Sequence, residues 1–191
     1  MNYILDLKNY IPICEQEIKD KEVMLKFIDK YGDFSLDRKN DIAHFSASAW
    51  VINKTHDKVL LNFHNIYKNW GWLGGHADNE PDLLKRATLE VMEEAGIKNF
   101  KPLLDKAISV EILPVPYHIK NNKFVNSHLH LNLTYLFEAD ESEKLTIKPD
   151  ENSGLKWVYL DDAIKLTNEE AMKPIYQKLN DFIRKSSLLL L

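Results

Sequence analysis

Between Gly74 and Ile97 the chain reads GGHADNEPDLLKRATLEVMEEAGI, and three of its glutamates, Glu90, Glu93 and Glu94, fall within a single turn of a helix. At about 100° per residue, Glu93 lies roughly 60° to one side of Glu90 and Glu94 roughly 40° to the other. Carboxylates so placed repel one another. They also oppose the macrodipole, because Gly96 is positioned to be the C′ glycine that ends the helix. One reading of this spacing is a solvated acidic face. The other is a bound cation, and carboxylate oxygens suit hard divalent ions such as Mg²⁺ and Mn²⁺.

The residues just upstream, NWGWLGGHADNEPD, place three glycines and two tryptophans directly before that helix. Glycine permits close backbone approach, so the stretch reads as a glycine loop feeding the helix. Pro81 suits the first helical position and Asp82 the first turn. Leu84, Ala87, Val91 and Ala95 then form an apolar stripe expected to face away from the glutamates.

This segment resembles the Nudix box of the Nudix hydrolase family, G-x5-E-x7-R-E-U-x-E-E-x-G-U, with U a bulky aliphatic residue. With Gly96 as anchor, Gly75, Glu90, Val91, Glu93, Glu94 and Ile97 fall on the pattern, whereas Pro81 stands at the first glutamate and Leu89 at the arginine. The resemblance implies an α+β fold, an α/β/α sandwich around a mixed sheet. It also implies metal-dependent hydrolysis of a phosphoanhydride in a nucleoside diphosphate linked to another moiety, or in a related diphosphate. Mg²⁺ or Mn²⁺ would be held by Glu90, Glu93 and Glu94, with the Gly75 carbonyl as a further ligand. Glu94 and Glu90 are the principal ligands expected, and Glu93 is ligand or base. In the family the two missing residues brace loop and helix, and Arg86, four residues before Glu90, is the candidate substitute.

Glu151, in the polar loop PDENSG six residues before Trp157, resembles the distal carboxylate that some relatives use as ligand or base. His128 and His130 alternate along one strand and share a face with Asn132, while His118 lies beyond the preceding strand. These three histidines are read as a substrate-pocket wall rather than zinc ligands, because the box already supplies hard oxygens. Trp72, like Trp70, either stacks a ring of the substrate or packs under the loop. A nonhydrolytic nucleotide-ligand sensor on the same fold is an alternative. An isopentenyl diphosphate isomerase-like enzyme is another, although such enzymes place a catalytic cysteine near the glycine loop and this chain has none there.

Elsewhere the pattern is that of a globular chain: 191 residues, 45% hydrophobic and 28% charged, with a net charge of −4 that gives no reason to expect a nucleic acid polymer as partner. Small-molecule diphosphates or nucleotides are the expected partners, and a homodimer is left open. The single cysteine, Cys14, excludes an intramolecular disulfide and reads as a small buried hydrophobe. No signal segment or membrane-spanning apolar run is evident, so the cytoplasm is the expected location. Residues 1–40 are expected to form a helical extension packed on a Nudix domain over 41–191. Within the extension, Ile4, Leu7, Ile11, Cys14 and Ile18 form one stripe and Val23, Phe27 and Tyr31 another, with a break or kink at Pro12. Strands are expected over 44–52, 59–64, 107–115, 128–139 and 155–160, and helices over 161–164 and 169–185. The terminal LLLL reads as a packed or frayed helix end.

Overall fold

The computed structural model describes residues 2–66, 68–120 and 122–188. Of the terminal leucine run, only Leu188 falls inside that range. Pro12 separates two helices, α1 (Tyr3–Asn9) and α2 (Glu15–Tyr31). The Asn2 side chain caps α1 by accepting the Ile4 N–H at 2.9 Å. Because the intervening residues are extended, the helical phase resets between α1 and α2, and the expected stripe does not hold. Ile11, Ile18 and Val23 are exposed, while Tyr3, Leu7, Met24 and Ile28 enter the core. Cys14 is likewise no core residue: it sits in extended backbone just before α2 and is only partly buried.

The core is built on β1 (Ala43–Asn53), which is buried along its whole length. It runs parallel to β9 (His128–Ala139) from Ala43↔Leu129 to Asn53↔Ala139. On its other side lie β2 (Lys58–His64) and β4 (Leu73–His76), both antiparallel to it. The sheet order is β10 (Asn152–Tyr159), β2, β1, β9, β5 (Phe100–Pro102). To this path β3 (Asn69–Gly71) adds on β2 and β6 (Ser109–Val115) on β9. One parallel pair among antiparallel neighbours makes the sheet mixed. A small separate hairpin joins β7 (His118–Lys120) to β8 (Lys123–Val125).

Alternation along β1 divides the interior in two. Phe45, Ala47, Ala49 and Val51 face α1, α2 and α3 (Leu83–Ala95), and Trp50 and Ile52 face α4 (Leu160–Leu166) and α5 (Lys173–Leu188). The result is the α+β sandwich with a mixed sheet that the box resemblance implies. Among the described residues, no helix is long and apolar enough to cross a membrane.

Two details of the glycine segment differ from expectation. Much of it is strand rather than loop, because β3 and β4 pair with β2 and β1. Pro81 also lies outside the helix: Asp82 is the N-cap, its carboxylate accepting the Lys85 N–H at 3.0 Å, and Leu83 opens α3. Leu83 rather than Leu84 therefore joins the fully buried set with Ala87, Val91 and Ala95.

Candidate active site

Gly96 ends α3 in the left-handed region, φ +69°, and a Cβ there would come within 2.8 Å of Thr146. The helix stops here because this position combines positive φ with close approach of the 146 segment. The carbonyl of Glu94, otherwise orphaned at the helix end, accepts from the buried Asn152 side chain at 2.9 Å.

The three box glutamates do not share one fate. Glu90 and Glu94 are 3% and 2% exposed and belong to the buried face of α3, not to an outward acidic face. Glu93 points outward, with 40% of its side chain exposed, and meets Arg86 at 3.7 Å and Lys148 at 3.5 Å. The third carboxylate that converges with Glu90 and Glu94 is instead Glu151: one oxygen from each of the three lies within 4.8 Å of the others. Glu151 is held by its own backbone, whose carbonyl accepts the Asn65 N–H at 2.9 Å, and by Lys148 at 3.1 Å.

Each buried carboxylate is oriented separately. Glu94 accepts from the Asn62 side chain at 3.0 Å and from the Gly74 N–H at 2.9 Å. Glu90 pairs with Arg86 four residues earlier. A Cβ on Gly75 would lie 2.0 Å from the Glu90 carboxylate, so only glycine lets β4 approach this closely. Burial, and after it the charge of Glu90, pushes the Glu94 carboxyl up to about 8. Burial also raises Glu90, against the pull of Arg86. Sequence reasoning missed Asn62, Lys148 and Asn152. Asn62 had a signal, as a polar residue within the apolar strand VLLNFH, whereas the other two come from an unremarkable polar stretch of sequence that ends at the start of β10.

The donor set suits a hard divalent cation. Among the described residues, the four carboxylates Glu90, Glu93, Glu94 and Glu151 have two cations between them, Arg86 and Lys148, in ion pairs with Glu90, Glu93 and Glu151. Among the described residues, no lysine or arginine pairs with Glu94 itself. The Gly75 position leaves the carboxylates free of a methyl group that would otherwise fill their cradle.

The opposite face of the sheet carries the remaining expected residues. His128 and His130 stand 3.3 Å apart, Nε2 to Nε2, and are joined by His44 from β1 and His76 from β4. Burial, and then the neighbouring imidazoles, pushes His130 down to about 2, and burial lowers His44. His118 is not one of the four: it lies half-buried on the β7–β8 hairpin, its ring 6.4 Å from that of His128. Trp72 packs against Tyr176, ring centroids 5.6 Å apart, and donates its backbone N–H to the Tyr176 hydroxyl at 3.3 Å.

Further along that face lies a buried charge cluster with no counterpart in the sequence reading. Lys178 of α5 meets Glu17 at 2.6 Å and Glu111 at 3.1 Å. Asn132 donates to Glu111 at 3.1 Å and accepts from Ser48 and Ser46 at 2.8 and 3.1 Å.

A family model described as the NUDIX domain matches residues 43–179. The chain belongs to the Nudix family. Solved structures of Nudix hydrolases share the fold. An Ap4A hydrolase from C. elegans, in a binary complex, superposes with a TM-score of 0.56 at 21% identity, covering 74% of this chain and 98% of that one. A NUDIX family hydrolase from Clostridium perfringens gives 0.53 at 23%, covering 73% and 97%. The dihydroneopterin triphosphate pyrophosphohydrolase of E. coli gives 0.54 at 14%, covering 74% and 95%. At these identities the likeness is one of fold. No match was found among curated proteins. By family membership the chain is a Nudix-type pyrophosphohydrolase, and hydrolases of this family generally need a divalent metal.

Proposed function

We propose that this Nudix hydrolase cleaves a phosphoanhydride bond in a nucleoside diphosphate linked to another moiety, using Mg²⁺ or Mn²⁺ held by Glu90, Glu94 and Glu151 beside Gly75. The observation that carries the reading is the convergence of those three carboxylates, two of them buried, with too little cationic charge around them. Two similar structures, an Ap4A hydrolase and a dihydroneopterin triphosphate pyrophosphohydrolase, support the same bond class. The net charge of −4 supports a small-molecule substrate rather than a nucleic acid polymer.

When bound, the cation would neutralise the anhydride oxygens and lower the pKa of a coordinated water. The chain's own residues do the positioning that phosphoryl chemistry chiefly demands. Asn62 and the Gly74 N–H fix both oxygens of Glu94, and Arg86 fixes Glu90. Glu151, on the accessible side of the trio, takes the proton of the attacking water. Glu93 holds Arg86 and Lys148 in place from outside. Of the sequence-derived substrate contacts, His118 is half-buried on its hairpin, and Trp72 packs against Tyr176.

Of the alternatives, the isomerase reading loses its nucleophile, because Gly74 and Gly75 line the glutamates and Cys14 precedes α2. The deciding experiment is a hydrolysis screen over nucleoside triphosphates, sugar nucleotides, dinucleoside polyphosphates and non-nucleotide diphosphates, with Mg²⁺ or Mn²⁺. Glu94→Gln, which keeps the shape of the side chain, should reduce turnover of the accepted substrate by about 10²-fold or more. Unchanged metal-dependent turnover in that variant would sink the assignment, and tight ligand binding without hydrolysis by the native chain would favour the sensor.

A further inference from the structure

Gly75 and His76 are consecutive on β4, so their side-chain directions lie on opposite faces of the sheet. Gly75 faces Glu90, and His76 faces His44, His128 and His130. The strand registers explain the convergence. His44 lies beside His130 in the parallel β1–β9 pairing, and His76 lies opposite Ser46, two residues along β1 from His44. His128 comes two residues before His130 on the same face. Four imidazoles from three strands thereby meet at one end of the sheet.

We propose that these four histidines form a second metal site, distinct from the glutamates, that takes a borderline-soft divalent ion of the Zn²⁺ class in a closed, tetrahedral, structural role. The geometry carries the assignment. One nitrogen from each ring lies within 4.8 Å of the other three. His128 Nε2 and His130 Nε2 are 3.3 Å apart, and two imidazole nitrogens about 2.0–2.1 Å from one tetrahedral ion are separated by about 3.3 Å. Five of the six ring pairs have centroids 4.9 to 5.1 Å apart, and rings arranged around one such ion would have centroids about 5 Å apart.

The hydrogen bonds behind the rings agree. His44 Nδ1 lies 3.0 Å from the Asn40 carbonyl and His128 Nδ1 lies 2.8 Å from the Asn126 carbonyl. A carbonyl only accepts, so both Nδ1 atoms carry a proton, and in the neutral tautomer this leaves Nε2 as the nitrogen with the lone pair. This is the arrangement in which a backbone carbonyl orients a metal-binding histidine. The Nε2 of His44 is buried and, among the described residues, has no hydrogen-bond partner. An anion such as phosphate offers that lone pair nothing, whereas a cation satisfies it. Four imidazole nitrogens select Zn²⁺ and its neighbours over Mg²⁺, which prefers oxygen. Four protein ligands also leave no open position, which marks a structural rather than a catalytic site. Such an ion would lock β4, and with it Gly74 and Gly75, to β1 and the start of β9.

The test uses the full-length protein, stripped with a chelator and then kept in excess Mg²⁺ so that the glutamates are supplied with their own ion. Titration with Zn²⁺ against a chromogenic chelator should give one tightly held Zn²⁺ per chain and a higher melting temperature. A His44→Ala/His130→Ala variant should bind at least about 100-fold more weakly, while Glu94→Gln should still take up one equivalent. Should the double variant not fold, His128→Asn alters a half-buried ligand, and Co²⁺ added to the native protein should produce the intense visible bands of a tetrahedral nitrogen site. Absence of stoichiometric Zn²⁺ uptake by the native chain, uptake unaffected by the histidine changes, or uptake lost in Glu94→Gln would each overturn the proposal. None of these outcomes depends on turnover, so failure here leaves the hydrolase reading standing.

Discussion

Two buried carboxylate clusters lie on opposite faces of one sheet, and their surroundings differ. On the α5 side, Glu17 and Glu111 share Lys178, and their oxygens also accept from the Ile13 N–H, Ser109, Asn132 and Thr134. On the α3 side, Glu94 has, among the described residues, only neutral donors, Asn62 and the Gly74 N–H, and Glu90 must share Arg86 with Glu93. Burial alone therefore does not mark a cation site, since both clusters are buried. What separates them is compensation within the chain: the first is closed by a lysine from a distant helix, and the second is left with charge that an outside ion can neutralise.

The largest effect should come from breaking the closed cluster. Lys178→Met leaves two buried carboxylates without their cation, a change that costs roughly 3 kcal/mol of folding stability. Urea denaturation would read this as a lower midpoint. Turnover of the still-folded variant at saturating metal should stay within a few-fold of native. A stability loss below the measurement error would mean that the two clusters are not different in kind.

A smaller effect, reversible by a cation, separates the clusters by pH. The Glu94 carboxyl stands at about 8 in the fold against 4.5 when unperturbed, so the folded metal-free chain favours its protonated form. That contribution to stability is fully present below about pH 4.5 and is lost as pH rises through about 8. A divalent cation binds the carboxylate and displaces the proton, so its stabilising effect should grow across the same window. Melting temperatures measured with and without Mn²⁺ should therefore diverge between pH 5.5 and 8. Glu94→Gln should remove most of that divergence, and an equal metal-induced shift at both pH values would contradict this account.

The open cluster was legible in the sequence to the extent that its members lie on one element. Glu90, Glu94 and Gly96 are fixed relative to one another by helical geometry, and Gly96 adopts the left-handed conformation that the reading needed. The outward turn of Glu93 was not legible, because about 60° of rotation decides between core and solvent only once the helix has docked. Lys178 with Glu17 and Glu111, and likewise His44 with His76, come from distant parts of the chain. Only the β1–β4 pairing and the docking of α2 and α5 bring them together. His128 and His130 were visible as a pair through alternation, which is why two of the four histidines, but not the four-membered cluster, could be named. The N-terminal segment also supports the site in a way its periodicity did not disclose. Tyr3 donates its N–H to the Pro81 carbonyl at 2.9 Å, and Arg38 pairs with Asp78. The backbone is thus tied down at the position where the family pattern has its first glutamate.

The mildest predictions test how the open cluster is braced. Arg86 meets the buried Glu90 and the half-exposed Glu93, and Leu89 occupies the position where the family has its arginine. Arg86→Ala frees Glu90 to rotate without removing any proposed ligand, and loss of such a supporting contact should weaken metal affinity or activity by about 10-fold. Glu93→Gln should do less still, a few-fold at most. Its carboxylate lies on the solvent side of Arg86, and an exposed ion pair at 3.7 Å is worth well under about 1 kcal/mol. Apparent metal affinity from the Mn²⁺ dependence of turnover would order the variants as Glu93→Gln, then Arg86→Ala, then Glu94→Gln, from mildest to most severe. If Glu93→Gln proved as damaging as Glu94→Gln, Glu93 would have to swing inward when the cation binds, and the division between an inner trio and an outer brace would fail.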